Sequence, residues 1–157
     1  MRQTYRVLAS LIALGVLVQA AAVAFGWFDV LTDTEEGRVY TGDYNVGHIV
    51  HSIVGLGVIP LLGIVLLGVS FAAAKVVPGA RKWAGIVLGL ILLQVALAFL
   101  AYAVPAIGAL HGLNALFVLG AAGRAASLTR PAATGGTAGI PAQRTGSTDT
   151  SGSTLPV

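Results

Sequence analysis

The chain has 157 residues, of which 56% are hydrophobic and 10% charged, and its mean hydropathy is +0.88. A composition this apolar excludes an ordinary soluble domain, which would expose patches that aggregate. The formal net charge of +3 does not mark a nucleic-acid partner, because the bases flank apolar segments instead of forming a stripe. The absence of cysteine excludes disulfides, thiolate metal sites, iron–sulfur clusters and covalently attached c-type haem.

The first apolar segment follows the basic start "MRQTYR" and runs over about 7–30. It is long enough to span a hydrocarbon core of ~30 Å at 1.5 Å rise per residue. The small-residue run "AAAVA" also fits a cleavable leader. The length of the apolar run, and its continuation through Phe25, Trp27 and Phe28, favour a retained helix.

A polar connection, "DVLTDTEEGRVYTGDYN", comes next. It carries Asp29, Asp33, Glu35, Glu36 and Asp43, and a single base, Arg38. The second segment, about 46–74, opens on "GHIVHSIVG" after Asn45, a residue suited to an N-cap. It is longer than a span requires, so it is expected to tilt, bend at Pro60 or extend past the interface.

A short basic connection with Lys75, Arg81 and Lys82 leads to the third segment, about 83–104. The fourth, about 106–128, follows Pro105 and contains "LHGLNALFVLG". Glycines at Gly47, Gly55, Gly57, Gly63, Gly68, Gly85 and Gly89 would let helices approach closely in lipid. From Pro131 the composition turns to Gly, Ser, Thr and Pro, which cannot bury enough surface to offset chain entropy. The expected fold is therefore all-α. A four-helix transmembrane domain (residues 1–130), an up-and-down bundle, precedes a disordered cytoplasmic tail (131–157).

The charges orient it. Eight of the nine bases lie at Arg2, Arg6, Lys75, Arg81, Lys82, Arg124, Arg130 and Arg144. Four spans put all of them on one side of the membrane. The positive-inside rule makes that side cytoplasmic, with both termini there. The expected location is the cell membrane, as a multi-pass protein. The lipid bilayer is its first partner.

Away from the segment ends, where Asp29 and Arg124 lie, the candidate ionisable groups within these segments are histidines. His51 lies six residues after Asn45 and His111 six after Pro105, so each is roughly 9 Å below the outer end of its helix. The second and fourth helices of an up-and-down bundle run parallel, which brings His51 and His111 to similar depth. His48 lies nearer the surface. Gln19, Ser52, Gln94 and Asn114 are the other clear polar residues, and Asn114 shares the face of His111. For Asn and Gln the ordinary role is a hydrogen bond between helices. Intramembrane ionisable groups are functional candidates by default.

Two facing imidazoles in a bundle can supply both axial ligands of a haem iron. Three histidines could instead hold Zn²⁺ or Cu²⁺. Such a site usually has an acidic second shell, and no acid lies within the second or fourth segment. The signatures of hydrolases and kinases are absent from the sequence.

The composition and layout resemble small four-helix membrane proteins of actinobacteria, to which no activity attaches. "GHIVHSIVG" and "LHGLNALFVLG" also resemble one half of the haem A synthase family, over roughly residues 5–128. That resemblance implies a four-helix bundle in which His51 and His111 ligate a haem. The sequence departs from the synthases at His48, where they carry an important glutamate, and at Ser52, often arginine there. It also lacks the outer-loop cysteine pair and the second half. Haem A synthesis is therefore not expected.

The expected function is that of a small membrane protein binding haem b, with an electron-transfer or quinone-linked role. His51 and His111 are the candidate axial ligands. His48, Asn114 and Arg38 are peripheral candidates, Arg38 as the one base near outward-facing propionates. A homodimer or a respiratory-complex subunit is the expected protein partner. A cofactor-free membrane subunit or scaffold stands as the alternative, and a small-solute transporter comes third.

Overall fold

The computed structural model describes residues 1–39, 41 and 45–130. The tail expectation, for 131–157, lies outside the described residues, as does Asp43. The described residues form helices α1 (Arg2–Glu35), α2 (Val46–Ile53), α3 (Ile59–Ala73), α4 (Ala80–Ala103) and α5 (Ile107–Ser127). No strand occurs among the described residues. A π-helical turn, Val54–Val58, joins α2 to α3, so Val46–Ala73 is one continuous rod. The chain thus makes four rods.

Each rod turns a narrow stripe toward its neighbours. In α1 the buried positions are Tyr5, Ala9, Ile12, Val16, Gln19 and Gly26, at the three-to-four spacing of one helix face. Ile59, Gly63, Leu66, Ser70 and Ala73 form the matching stripe of α3. Ala80, Ala84, Val87 and Ile91 do so in α4, and Asn114, Val118, Ala121, Ala122 and Ala125 in α5. Nearly half of these positions are alanine or glycine, which allow close backbone approach in lipid. Outside the stripes, Leu14, Phe28, Leu61, Phe71, Leu92, Phe99 and Phe117 are exposed, an apolar exterior that water would not tolerate.

The rods pack in a ring. α1 lies against the α2–α3 rod and against α5, while α4 lies against α3 and α5. Successive rods are joined by short connections, which makes the bundle up-and-down. At one end Tyr5 donates a buried hydrogen bond to the Ala80 carbonyl (3.0 Å) and Arg2 donates to the Val76 carbonyl (2.9 Å). The turn there uses Gly79 at φ 80°, a left-handed conformation that favours glycine. Arg124 sits over the Trp83 ring at the same end, 5.5 Å from its centroid. Arg2, Arg6, Lys75, Arg81, Lys82, Arg124 and Arg130 therefore share one end of the bundle. The carboxylates of α1's last turns lie at the other.

Three rods, Arg2–Glu35, Val46–Ala73 and Ala80–Ala103, are long and apolar enough to cross a membrane. α5 has the length, at 21 residues, but His111, Asn114 and Arg124 lower its hydropathy. α1 extends past its expected span at both ends and α4 begins three residues before its own, while Val46–Ala73 and Ile107–Ser127 match the expected 46–74 and 106–128 to within a residue at each end. The last helix, expected from about residue 106, begins at Ile107, after a turn closed by Ile107 N–H to Val104 O and Gly108 N–H to Pro105 O. The expected irregularity near Pro60 takes the form of the π turn just before it. Proline has no N–H, so an α-pattern would leave the Leu56 carbonyl without its donor. The chain shifts register first, with Ile59 N–H bonding to Val54 O.

Candidate functional site

Asn45 sets the outer end of the site. Its side-chain oxygen accepts the His48 N–H (3.0 Å), the expected N-cap, and its amide donates across to the Gly26 carbonyl (2.7 Å). Gly47 lies directly on the backbone of Ala22 and Gly26; a Cβ there would stand 2.5 Å from Ala22 O and Gly26 N. This contact locks the entry of α2 against α1. One turn further in, His51 points into the bundle.

A cavity of about 580 Å³ opens between α1, α2, α4 and α5, with His51 on one side and His111 on the other. The rings face one another, with centroids 6.2 Å apart and planes at 62°. The rest of the lining is mostly apolar. Much of it is small, with Ser52, Gly55, Ala98, Gly108, Gly112 and Ala115 among the lining residues. The volume falls within the ~300–1,000 Å³ of small-molecule and cofactor pockets.

Hydrogen bonds fix the proton positions without ambiguity at His111. Asn114 Nδ2 donates to the Leu90 carbonyl (3.0 Å), which can only accept. The same amide nitrogen donates to Gln94 Oε1 (2.7 Å), and this orients the Gln94 carboxamide. Gln94 Nε2 then donates to the His111 carbonyl (3.0 Å) and to His111 Nε2 (3.1 Å). His111 Nδ1 must therefore carry the ring proton, which it donates to the Gln94 carbonyl (3.1 Å). His51 repeats half of this arrangement, with Nδ1–H donating to the Gln19 carbonyl (3.2 Å). Both rings thus hold Nδ1 as donor to a backbone carbonyl, and a neutral imidazole held in that way carries its lone pair at Nε2. That is the usual support for a metal-ligating histidine.

The other sequence candidates separate from this pair. His48 packs edge-on to Trp27, ring centroids 5.4 Å apart, and is not part of the cavity wall. Among the described residues no three His, Asp or Glu side chains gather to hold a metal ion. Arg38 is exposed and pairs with Asp33 and Glu36. Hydrogen bonds to Asp33, and then Glu36, raise its pKa above the usual arginine value. Asn114 stands behind His111, against Gln94.

Gln94 is the residue whose part in the site the sequence did not reveal. Its signal was that of an amide alone in an otherwise apolar stretch, and the ordinary expectation of an interhelical hydrogen bond is met. Its partner's identity depends on how α4 and α5 rotate against each other. Gln19 differs: its Nε2 is buried with no partner, while its side-chain oxygen lies beside Gly55, 3.0 Å from where a Cβ would stand.

No family model, curated protein or solved structure matches this chain.

Proposed function

We propose that this is a four-span membrane protein, with both termini cytoplasmic, that binds one b-type haem through His51 and His111. The observation that carries the reading is the pairing of those two rings across one cavity. Metal–imidazole bonds of about 2 Å on both sides of an iron put the ring centres roughly 6–6.5 Å apart. The observed separation is 6.2 Å. The small residues of the wall leave room for a flat macrocycle, and the apolar remainder would keep water from it.

A haem held by His51 and His111 would supply one-electron transfer. The rest is the work of this chain. The Gln19 and Gln94 backbone carbonyls keep each Nδ1 protonated, which would leave the ligating lone pair of each ring at Nε2. An electron-transfer or quinone-linked role follows, in a homodimer or beside a respiratory complex.

The test is the absorption spectrum of the full chain, purified in detergent from cells supplied with haem precursor. Six-coordinate bands are expected in the wild type and in His48→Ala. They should be lost in His51→Ala and in His111→Ala. A colourless wild type that also refuses added hemin would sink the reading.

One observation favours a second reading, a cofactor-free subunit or scaffold. Both nitrogens of His111 already have protein partners, so the α4–α5 network is complete as it stands. A haem-free protein whose thermal stability falls sharply in His111→Ala would support that role.

A further inference from the structure

We infer that Gln94 is the positioning and capping residue of His111: its backbone carbonyl sets the tautomer, and its side-chain amide closes the lone pair that a ligand must use. The inference rests on the site reading above and adds a control to it. His51 and His111 are held alike at Nδ1, but they differ at Nε2. His111 Nε2 accepts from Gln94, whereas no protein donor to His51 Nε2 is seen among the described residues. The pair is therefore asymmetric, with one nitrogen open and the other capped.

The cap is built to yield. Gln94 makes three further contacts, two through its carboxamide and one through its backbone carbonyl, and none of them uses the ring lone pair. It accepts from Asn114, donates to the His111 carbonyl, and its backbone carbonyl accepts the Nδ1–H. Losing the bond to Nε2 leaves these in place, so His111 keeps its tautomer when the amide moves aside. A ligand would bind first at His51 and complete its coordination at His111 only after displacing a hydrogen bond. Asn114 tunes this step by fixing the amide's orientation, since its own nitrogen is anchored on the Leu90 carbonyl.

The experiment uses the full chain in detergent, as wild type, Gln94→Leu and Gln94→Met; the second variant preserves length should the first fold poorly. In the haem-free protein, ¹⁵N spectra of the histidine rings are recorded, with His111 assigned by its loss in His111→Ala. The wild type should show a protonated Nδ1 and a hydrogen-bonded Nε2. In both variants the Nε2 signal should move to that of a free lone pair while Nδ1 stays protonated. A His111 protonated at Nε2, or an Nε2 signal unmoved in both variants, overturns the inference whatever the haem result.

Hemin titration then reads the gate. Removing one neutral hydrogen bond that competes with the ligand should tighten binding and speed association about five- to tenfold. Wild-type hemin binding that depends on His51 and His111, with no gain in either variant, overturns the gate and leaves the site reading intact. Ring spectra as expected, with no hemin bound by any form, support the cap and remove the haem reading.

Discussion

His51 and His111 stand 6.2 Å apart across a shared cavity, one on each of two helices that make few direct contacts with each other. The pair is held by its other neighbours. His51 is tied back to α1 through Gln19, and His111 to α4 through Gln94. The distance between the rings is therefore set by how α3 and α5, which pack against both α1 and α4, hold those two helices.

That arrangement makes the cavity separable from the fold. Gly112 is part of the cavity wall, and a Cβ added there meets nothing within 4 Å. Gly112→Leu is expected to leave helical content and thermal stability unchanged while weakening hemin uptake by at least tenfold. Circular dichroism and a hemin titration check it; unaltered uptake would mean the ligand does not use this part of the space.

Gln19 offers the opposite case. Its Nε2 is buried without a partner, which costs free energy that an apolar side chain of similar size would not. Gln19→Leu should hold stability constant or raise it by about 1 kcal/mol, measured by unfolding in mixed micelles. The backbone carbonyl that bonds His51 remains. A loss of more than that amount would show that the amide has a partner in the membrane.

At the outer end, Gly47→Ala should be costly. The added Cβ meets backbone atoms of Ala22 and Gly26 at 2.5 Å, and backbone cannot swing aside as a side chain can. A destabilisation of about 1–3 kcal/mol is expected, the usual range for overpacking. A stability equal to wild type would place α2 further from α1 than described.

Topology has a direct test because the chain contains no cysteine. Single substitutions Arg81→Cys and Glu35→Cys can each be labelled in intact cells with a membrane-impermeant maleimide. The basic end should be protected and Glu35→Cys labelled, as the positive-inside rule requires. Labelling of Arg81→Cys alone would invert the protein and move the histidine site to the cytoplasmic half.

The parts of this picture that were legible in the sequence are those set by local chemistry. Asn45 is an N-cap because its short side chain reaches a free N–H of the first turn. The helical segments follow from apolar length, and the meeting of His51 with His111 from equal distances to their helix starts. What escaped depends on rotation. That Gln94, rather than another polar group, meets His111 requires the relative rotation of α4 and α5, which no residue spacing encodes. The irregularity near Pro60 was expected at the proline itself. It lies earlier, because the missing N–H is felt by the carbonyls of the preceding turn. The start of α5, expected at about residue 106, falls at Ile107, because a proline suits the turn ahead of a helix as well as its first turn.

The π turn at Val54–Val58 also sets the phase of the rod. Gly47, His51, Gly55, Ile59 and Gly63 each follow the last by four residues, and all five meet a neighbouring helix or the cavity. In an ordinary α-helix each step of four would advance roughly 40° around the axis, so by Gly63 the row would have wandered toward the opposite side. The wider turn winds more slowly and cancels much of that drift, like a vernier set between two scales. Chain length between His51 and Gly63 is therefore more constrained than side-chain identity. Deleting one residue of the α-helical stretch after Ile59, such as Leu62, would leave a continuous apolar helix, still long enough for a membrane, yet rotate His51 by about 100° relative to Leu66 and aim its ring out of the bundle.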